Sequence, residues 1–375
     1  MTSETEFLLA TLRGTHTAVP ESVNWQALLD LAESHGVLPI FCSQFNGVLP
    51  EALAARLRTE WTASAFLATE LQGVLREFSS LGLDVLPLKG PLLGQILYAS
   101  PSLRPSDDLD LLVRPEDFEQ AQSLLFHLGF TPAYEPDDYH QALQRGNTCV
   151  ELHFAVAPPS SPAMDLEGLW RRARVVEFRG EKARCFAKPD LLVYLTLHGV
   201  KHQFARLLWI LDVVRALAAS DEDDLNHALN MARAIGLEGA LLTTCALARD
   251  GFHAALPFPI AAAIERQPAI SAQAKLMWSR VLAGPANPQT SHQGAGLFVQ
   301  LEPGARGRWA QRSRLFLPSQ QDQLWAQQHN IPSQWMRLLR PLRLLSKHGP
   351  AAVWRTLFPA AAMKAPLTKE LSASD

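Results

Sequence analysis

The sequence predicts an α+β protein in which a short series of strands lies between two helical segments. Three patterns support this fold class. Apolar residues recur at intervals of three and four from about 22 to 81, as in amphipathic helices. Short alternating runs bounded by Gly and Pro follow between 82 and 186. After Pro189 a helical pattern returns and continues to about Ala283.

The chain has 375 residues, enough for two or three compact units. We expect a helical N-terminal segment over 1–81, a small α/β or α+β core over 82–187, an all-helical domain over 188–362 and a disordered tail over 363–375. Residues 284–334 are rich in Gly, Pro, Gln and Ser, so we expect loops there with one or two short helices.

The first segment has its apolar residues on helical faces, with a break near Asn46-Gly47. These residues are Leu28, Leu29, Leu31 and Ala32, then Leu53, Leu57, Trp61, Phe66 and Leu71. His35 lies in the same amphipathic stretch, and we expect it to pack between domains.

Strand patterns begin after Gly82. The run LDVLPLKG ends at Gly90 and a Leu-rich helical stretch follows to Tyr98, which predicts a strand entering a helix. The next strand is predicted over Asp107–Val113, and a helix that begins at Pro115 and stops at Gly129 follows it. Another alternating run over Thr148–Phe154 predicts a further strand.

Composition excludes several classes of protein. With 47% hydrophobic and 19% charged residues, the chain is not disordered, collagen-like or a coiled coil. A net charge of -3 argues against a protein that is basic throughout. No apolar run is long enough for a membrane span, and Glu4 and Glu6 stand where a secretion signal carries basic residues, so we expect a cytoplasmic location.

The cysteines and the common motifs are also informative. The four cysteines are far apart and form no CxxC pair, so we expect buried free thiols rather than a zinc ribbon or a disulfide scaffold. The sequence contains no GxxxxGK[ST], GxGxxG, HExxH or GxSxG motif. P-loop, Rossmann, zincin and serine hydrolase functions therefore lack support.

The acidic strand is the feature that suggests chemistry. Asp108 and Asp110 are two residues apart, so both carboxylates point to the same side of a strand while Leu109 faces the core. Two converging carboxylates suit a hard cation such as Mg²⁺. An acidic pair at a solvated strand end would give the same pattern.

The surrounding segment, LPLKGPLLGQILYASPSLRPSDDLDLLV over 86–113, resembles the nucleotidyltransferase superfamily with the DNA polymerase β fold. It is most similar to the uncharacterised bacterial nucleotidyltransferase family in which Lys-Gly replaces the usual Gly-Ser. The matching pieces are Lys89-Gly90, Tyr98, Arg104 and the Asp-Leu-Asp run from Asp108, followed by VELHF at 150–154 and the helical segment at 191–213. The resemblance covers about 35 to 215.

This resemblance implies an active site. In the superfamily the paired aspartates hold the metal that bridges the triphosphate, and a third carboxylate on a neighbouring strand completes the site and helps to activate the acceptor hydroxyl. Glu151 matches that third position. Lys89 and Gly90 would bind phosphate where the turn enters a helix. Arg104 would grip the triphosphate or the acceptor.

Each of these residues also has a structural explanation. Glu151 could be an exposed acid on an edge strand, Lys89 an ordinary residue at a helix start, and Arg104 the ion-pair partner of Asp107. We expect His153 to be structural or to support Glu151. Three carboxylates in one site should repel one another without a metal, so Asn at 108 or 110 should not lower stability.

His198 and His202 are four residues apart on a predicted helix, with Asp212 ten residues later. Three roles are open to them: a zinc site that lacks an evident third ligand, contact with nucleotide or acceptor in the cleft between the domains, or ordinary packing. We assign them, with Asp212, to the acceptor or cleft, and expect no zinc.

The charge is segregated along the chain. Residues 301–364 contain ten Lys or Arg against only Glu302 and Asp322, and part of this segment predicts a basic amphipathic helix. Such a helix could bind an anionic membrane, a nucleic acid or an acidic partner, or could pack on the acidic N-terminal body.

The sequence therefore predicts a Mg²⁺-dependent enzyme, with Mn²⁺ as a substitute, that transfers a nucleoside monophosphate from an NTP to an acceptor. We expect the acceptor hydroxyl to belong to a small molecule, a sugar or a peptide. One alternative is a toxin-like transferase that adds nucleotides to RNA through the basic segment. Another is a non-catalytic accessory protein that keeps the fold and binds a partner.

Overall fold

The computed structural model describes residues 2–15, 19–134, 136–283 and 291–358. The predicted α+β fold is confirmed, with a small sheet region between helical regions. The expected tail over 363–375 lies outside the described residues, as do residues 284–290. The domain limits at 81, 187 and 362 stay predictions.

The N-terminal region is helical, as expected. It contains α1 (Ser3–Leu12), α2 (Trp25–Ser34), α3 (Leu38–Gln44) and the long α4 (Glu51–Ser80). The side chain of Asn24 caps α2 by accepting from the backbone N–H groups of Gln26 and Ala27. The predicted break at Asn46-Gly47 separates α3 from α4.

A five-stranded sheet follows, with α5 (Gly90–Tyr98) and α6 (Phe118–His127) between its strands. The strands are β1 (Leu86–Pro87), β2 (Leu109–Leu112), β3 (Thr131–Pro132), β4 (His140–Arg145) and β5 (Thr148–His153). Their order is β1-β2-β5-β4-β3, in which only the β2–β5 pair is parallel. Both acidic strands form where the sequence predicts them, although β2 is shorter than 107–113.

Beyond the sheet come α7 (Leu166–Arg172) and a separate hairpin of β6 (Arg174–Phe178) and β7 (Glu181–Cys185). The main helical region then has α8 (Lys188–Lys201), α9 (Leu207–Ala219), α10 (Glu222–Ile235), α11 (Glu238–Phe252), α12 (Phe258–Glu265) and α13 (Pro268–Leu282). None of the described helices combines the length and apolar character needed to cross a bilayer.

The expectation of loops with one or two short helices over 284–334 is wrong for the described part. Three helices lie there: α14 (Ser291–Leu301), α15 (Ala305–Arg314) and α16 (Gln320–Gln328). Helix α14 forms because Leu297, Phe298 and Leu301 are buried in the core, and a Ser319–Asp322 capping box starts α16. The last described helix is α17 (Met336–Leu357), with a kink at Gly349 where φ is 76°.

Two hydrophobic cores organise the molecule. The larger contains residues of α1–α3 and of α8–α14, so the N-terminal helices pack on the helical region across the sequence. The smaller lies under one face of the sheet and includes α6 and the second half of α4. Helix α4 contributes to both, since Leu53 and Leu57 belong to the larger core. Cys42, Cys185 and Cys245 are buried free thiols and Cys149 is half-buried.

His35 joins the N-terminal helices to the helical region. The ring is 1% exposed, and its Nδ1 accepts the backbone N–H of Leu207 at 3.3 Å. The backbone N–H of Leu208 donates to the carbonyl of His35 at 3.2 Å. Burial, together with the charge of Arg206, lowers the pKa of His35 to about 4. The neutral ring is therefore part of the fold.

Tyr98, Arg104 and Asp212 form a buried network between the sheet region and α9. Two nitrogens of Arg104 donate to the Asp212 carboxylate, the shortest contact being 2.8 Å, and the Tyr98 hydroxyl donates to it at 2.9 Å. Arg104 is 4% exposed and Asp212 is fully buried. The network fixes the end of α5 against α9.

Replacing His35 by Asn should reduce the loss of stability in acid. In the unfolded state this histidine binds a proton below about pH 6.5, whereas in the folded state it binds one only below about pH 4. The stability of the wild type should therefore decrease as the pH is lowered from about 6.5 to about 4. Asn keeps an acceptor near the Nδ1 position but does not titrate. Thermal unfolding of both proteins between pH 4 and 7 measures the difference, and parallel curves would contradict the assignment.

Asp212→Asn should lower the free energy of unfolding by about 3–5 kcal/mol, because the change leaves Arg104 as a buried charge without its counter-ion. Tyr98→Phe removes one hydrogen bond and should cost only about 1–2 kcal/mol. Urea unfolding of the two variants gives both values. A loss below about 1 kcal/mol for Asp212→Asn would show that the network does not hold the fold together.

Candidate active site

The parallel pairing of β2 and β5 brings the predicted carboxylates together. In its register Asp110 is the partner of Glu151, and Leu112 is the partner of His153. Because residues two apart on a strand share a face, Asp110, Glu151 and His153 lie on the same side of the sheet. On the other side, Leu109 and Leu111 of β2 and Val150 and Leu152 of β5 enter the smaller core.

These three side chains are in close contact. Nε2 of His153 lies 3.3 Å from Oδ1 of Asp110 and 3.3 Å from Oε2 of Glu151. One potential metal-ligand atom from each of the three residues lies within 4.8 Å of the other two, an arrangement that can hold a metal ion. Asp110 is 2% exposed and Glu151 is 28% exposed, so the group is anchored in the protein and open at one side.

Lys89 connects this group to Asp108. Its Nζ lies 2.9 Å from Oδ2 of Asp110 and 3.9 Å from Oδ1 of Asp108. Lys89 stands at the N-cap of α5, directly after the first strand, and the next residue, Gly90, has φ of 69°. Glycine adopts that left-handed conformation without strain, which lets the chain turn sharply into the helix beside Asp108.

The charges of the site shift one another's pKa values. Burial and the neighbouring Asp110 raise the pKa of Asp108 to about 6. Burial alone would raise the pKa of Asp110 too, but Lys89 and His153 outweigh it and hold this pKa well below its usual range. For Glu151, His153 likewise outweighs burial and lowers the pKa. Asp110 and Glu151 are therefore held as carboxylates.

The pKa values of the two basic residues, Lys89 and His153, are raised. Burial would lower the pKa of Lys89, yet the carboxylates of Asp110 and Asp108 outweigh it and raise this pKa. The pKa of His153 is raised in the same way, by Asp110 and Glu151 against burial. Asp110 raises the pKa of Asp108 and acts to raise that of Glu151, as expected of acids that repel one another, whereas Lys89 and His153 hold the pKa of Asp110 low.

His198 and His202 lie at the C-terminal end of α8. His198 is buried, and its Nε2 has no hydrogen-bond partner among the described residues. Its ring lies 4.7 Å from that of His202, and the Trp209 ring is 5.2 Å from both. Burial and the charge of Lys89 hold the pKa of His198 well below its usual range, and burial with Lys201 lowers that of His202 to about 3. Two neutral imidazoles therefore lie near the carboxylates.

Neither His198 nor His202 belongs to a group of metal-ligating residues in the described part of the chain. The cluster of three or more His, Cys, Asp or Glu found there is that of Asp110, Glu151 and His153.

Sequence reasoning missed Lys201 and Tyr139 as site residues. Lys201 donates to the Tyr139 hydroxyl at 2.7 Å. Burial and the charge of Lys89 lower the pKa of Lys201, although Glu151 and Asp110 act to raise it. The sequence did offer a sign of this role for Lys201, because it lies between His198 and His202. Tyr139 gave no signal, since it precedes a strand that the sequence did not single out.

His140 and the metal-binding potential of His153 were missed as well. The His140 ring stacks on that of His153 at 4.9 Å, and its Nε2 lies 3.9 Å from Oε2 of Glu151. Register explains the contact, because His140 of β4 is paired with His153 of β5. The spacing of Glu151 and His153, two apart on one strand, already indicated that they share a face.

Arg104 and Asp212 are placed together, in the buried network with Tyr98. Asp107, considered as the partner of Arg104, is instead exposed. The structure thus brings Lys89 close to Asp108 and Asp110, places Glu151 beside Asp110, leaves His198 and His202 near these charges, and pairs Arg104 with Asp212 in the buried network.

Solved structures of low identity resemble part of the chain. Two are structures of ANT(2'')-Ia: a solution structure of this antibiotic-resistance factor (14% identity, TM-score 0.37) and a crystal structure with adenylyl-2''-tobramycin (15%, 0.35). They cover 46% and 45% of this chain and 93% and 98% of their own. An antigenic nucleotidyltransferase-like protein of Paracoccidioides brasiliensis has 18% identity and a TM-score of 0.34, covering 56% of this chain and 92% of its own.

Comparison with curated proteins gave no match. A family model does match, and it is described as an uncharacterised nucleotidyltransferase. The match extends over residues 21–253, which is more than half of the chain and includes every residue assigned to the site. This protein therefore belongs to that uncharacterised family of nucleotidyltransferases, as the Lys-Gly and Asp-Leu-Asp motifs indicated.

Proposed function

We propose that the protein transfers a nucleoside monophosphate from an NTP, in the presence of Mg²⁺ or Mn²⁺, to a hydroxyl group of a small molecule, sugar or peptide. The observation that carries this proposal is that Asp110 and Glu151 are register partners on two parallel strands, with Lys89 close to Asp110 and within 3.9 Å of Asp108. Membership of a nucleotidyltransferase family supports the reaction class.

The donor set fits a hard divalent ion. Carboxylate oxygens are the ligands that Mg²⁺ prefers, and ligand atoms of Asp110, Glu151 and His153 lie within 4.8 Å of one another. Asp108, Asp110 and Glu151 would hold the ion, and His153 would orient Asp110 and Glu151. When bound, the metal would neutralise charge on the phosphates.

The chain's own cations would position the NTP. Lys89 lies where the turn enters α5, and the first-turn N–H groups of a helix attract phosphate. Lys201 of α8 offers a second cation within the field of Glu151 and Asp110. Arg104 and Asp212 would act indirectly, because their network fixes the far end of α5 against α9.

The acceptor would enter from the side of α8. Glu151 is held ionised and partly exposed, so it can accept the proton of an attacking hydroxyl. His198 and His202 are neutral, and the unpartnered Nε2 of His198 can donate or accept a hydrogen bond according to its tautomer. We assign both histidines to acceptor contact.

Asp110→Asn should lower turnover by about 100-fold or more, since it removes a carboxylate that would hold the metal ion, and that ion would neutralise charge on the phosphates. Its Mg²⁺-dependent thermal stabilisation by NTP should also disappear, because a ligand that binds only the folded state raises its stability by an amount that grows with affinity. Asp107→Asn is the matched control, since Asp107 is exposed and three residues away. Pyrophosphate release and thermal shift with each of the four NTPs measure both effects.

Two outcomes would contradict the metal-site assignment. One is Mg²⁺-dependent NTP stabilisation of Asp110→Asn equal to wild type. The other is normal NTP binding without turnover of any NTP across a panel of acceptors with either metal, which would favour the accessory-protein alternative. In the metal-free protein Asp108→Asn should not lower the melting temperature, whereas Asp110→Asn should, since basic groups outweigh burial at Asp110 but not at Asp108.

Changing His198 and His202 to Gln should raise the KM for the acceptor or lower kcat, with NTP binding unchanged. Gln retains hydrogen-bonding groups but not the flat ring that packs on Trp209. Acceptor kinetics and titration of Mg²⁺-NTP are the two measurements. Stoichiometric zinc in the purified wild-type protein, or loss of NTP binding in the variant, would reverse the assignment.

A further inference from the structure

An apolar stripe runs along the exposed side of α17. It consists of Trp335, Leu338, Leu342 and Leu345, which are 51%, 67%, 65% and 38% exposed. Their spacing of three, four and three residues places them on one side of the helix. Four large apolar side chains in one exposed row are typical of an interaction surface rather than of a solvated helix.

The basic side of the same helix faces inward. Met336 is fully buried, and Arg340 and Arg343 both contact the carboxylate of Asp322 on α16, at 2.7 Å for Arg343. The guanidinium of Arg343 also lies 5.1 Å from the Trp325 ring centre. Asp322 therefore draws the arginines to the protein and leaves the leucines outside, the reverse of a helix with an apolar buried face.

The segment that contains the stripe carries a net positive charge. Between 303 and 358 the sequence contains one acid, Asp322, and this carboxylate is shared by two guanidinium groups. The donors of Arg308, Arg312 and Arg314 are directed at backbone carbonyls, which carry no net charge. Beside the stripe, Arg337 is exposed.

We propose that the α17 stripe binds the surface of an anionic lipid bilayer. The leucines and Trp335 would enter the headgroup region while Arg337 contacts lipid phosphate, the combination that holds an amphipathic helix in the plane of a membrane. A nucleic acid would be bound by the cations and would leave the leucines in water. The proposal rests on the surface of α17 and is independent of the reaction.

Vesicle co-sedimentation with the full chain tests this proposal. Wild type should bind vesicles of phosphatidylglycerol and phosphatidylcholine in equal parts, and bind phosphatidylcholine alone at least about tenfold more weakly. Leu338→Gln with Leu342→Gln should lower binding to the mixed vesicles by about tenfold or more. Both leucines are two-thirds exposed, so the fold should be unaffected.

Two further variants separate the contributions. Val48→Gln with Phe258→Gln changes two exposed apolar residues elsewhere, 95% and 80% exposed, and should bind as wild type. Arg337→Gln should weaken binding and reduce its dependence on salt.

The proposal is overturned if wild type does not bind the mixed vesicles, if it binds phosphatidylcholine equally well, or if the double leucine variant binds as wild type. Light scattering that shows a dimer in wild type and a monomer in the double leucine variant would also overturn it, because a second copy of the chain would then cover the stripe.

Discussion

The pairing of β2 with β5 in parallel is the constraint on which the site depends. Parallel strands cannot be joined by a tight turn, and here the connection contains α6 and the antiparallel strand β4. The resulting register sets Asp110 beside Glu151 and His140 beside His153. A shift of either strand by one residue would turn its acid into the smaller core.

Buried leucines and valines hold that register. Leu109, Leu111, Val150 and Leu152 are each at most 1% exposed, and they pack against α4 and α6. The free energy gained by their burial keeps Asp110 in a place that would otherwise be unfavourable for a charge. Lys89 and His153 then provide the compensating positive charge.

The residues of the candidate site come from parts of the chain that are far apart. The sheet region supplies the carboxylates, and α8 with its C-cap supplies His198, Lys201 and His202. The larger core and the Arg104–Asp212 pair fix the helical region against the sheet region, with His35 joining α9 to the N-terminal helices. Burying polar groups at these junctions requires that each find a partner, so their geometry is strongly specified.

The sequence by itself determined the local features. Periods of two and about 3.6 in the apolar residues predicted the acidic strands and the main helices, and the alternation of Asp108, Asp110 and Glu151 with core residues predicted which way the carboxylates point. The family followed from Lys89-Gly90 and the Asp-Leu-Asp run, and the family model confirms it. These properties are set by neighbours along the chain.

Only the tertiary structure decided the partners. Arg104 pairs with Asp212, 108 residues later, although Asp107 is close in sequence. The strand register pairs His153 with His140, and Lys201 donates a hydrogen bond to Tyr139, which is far from it in the sequence. Helices α14–α16 form in a segment whose composition suggested loops, and Asp322 turns the arginines of α17 inward. Long-range contacts of this kind depend on how the elements pack, which no local period in the sequence encodes.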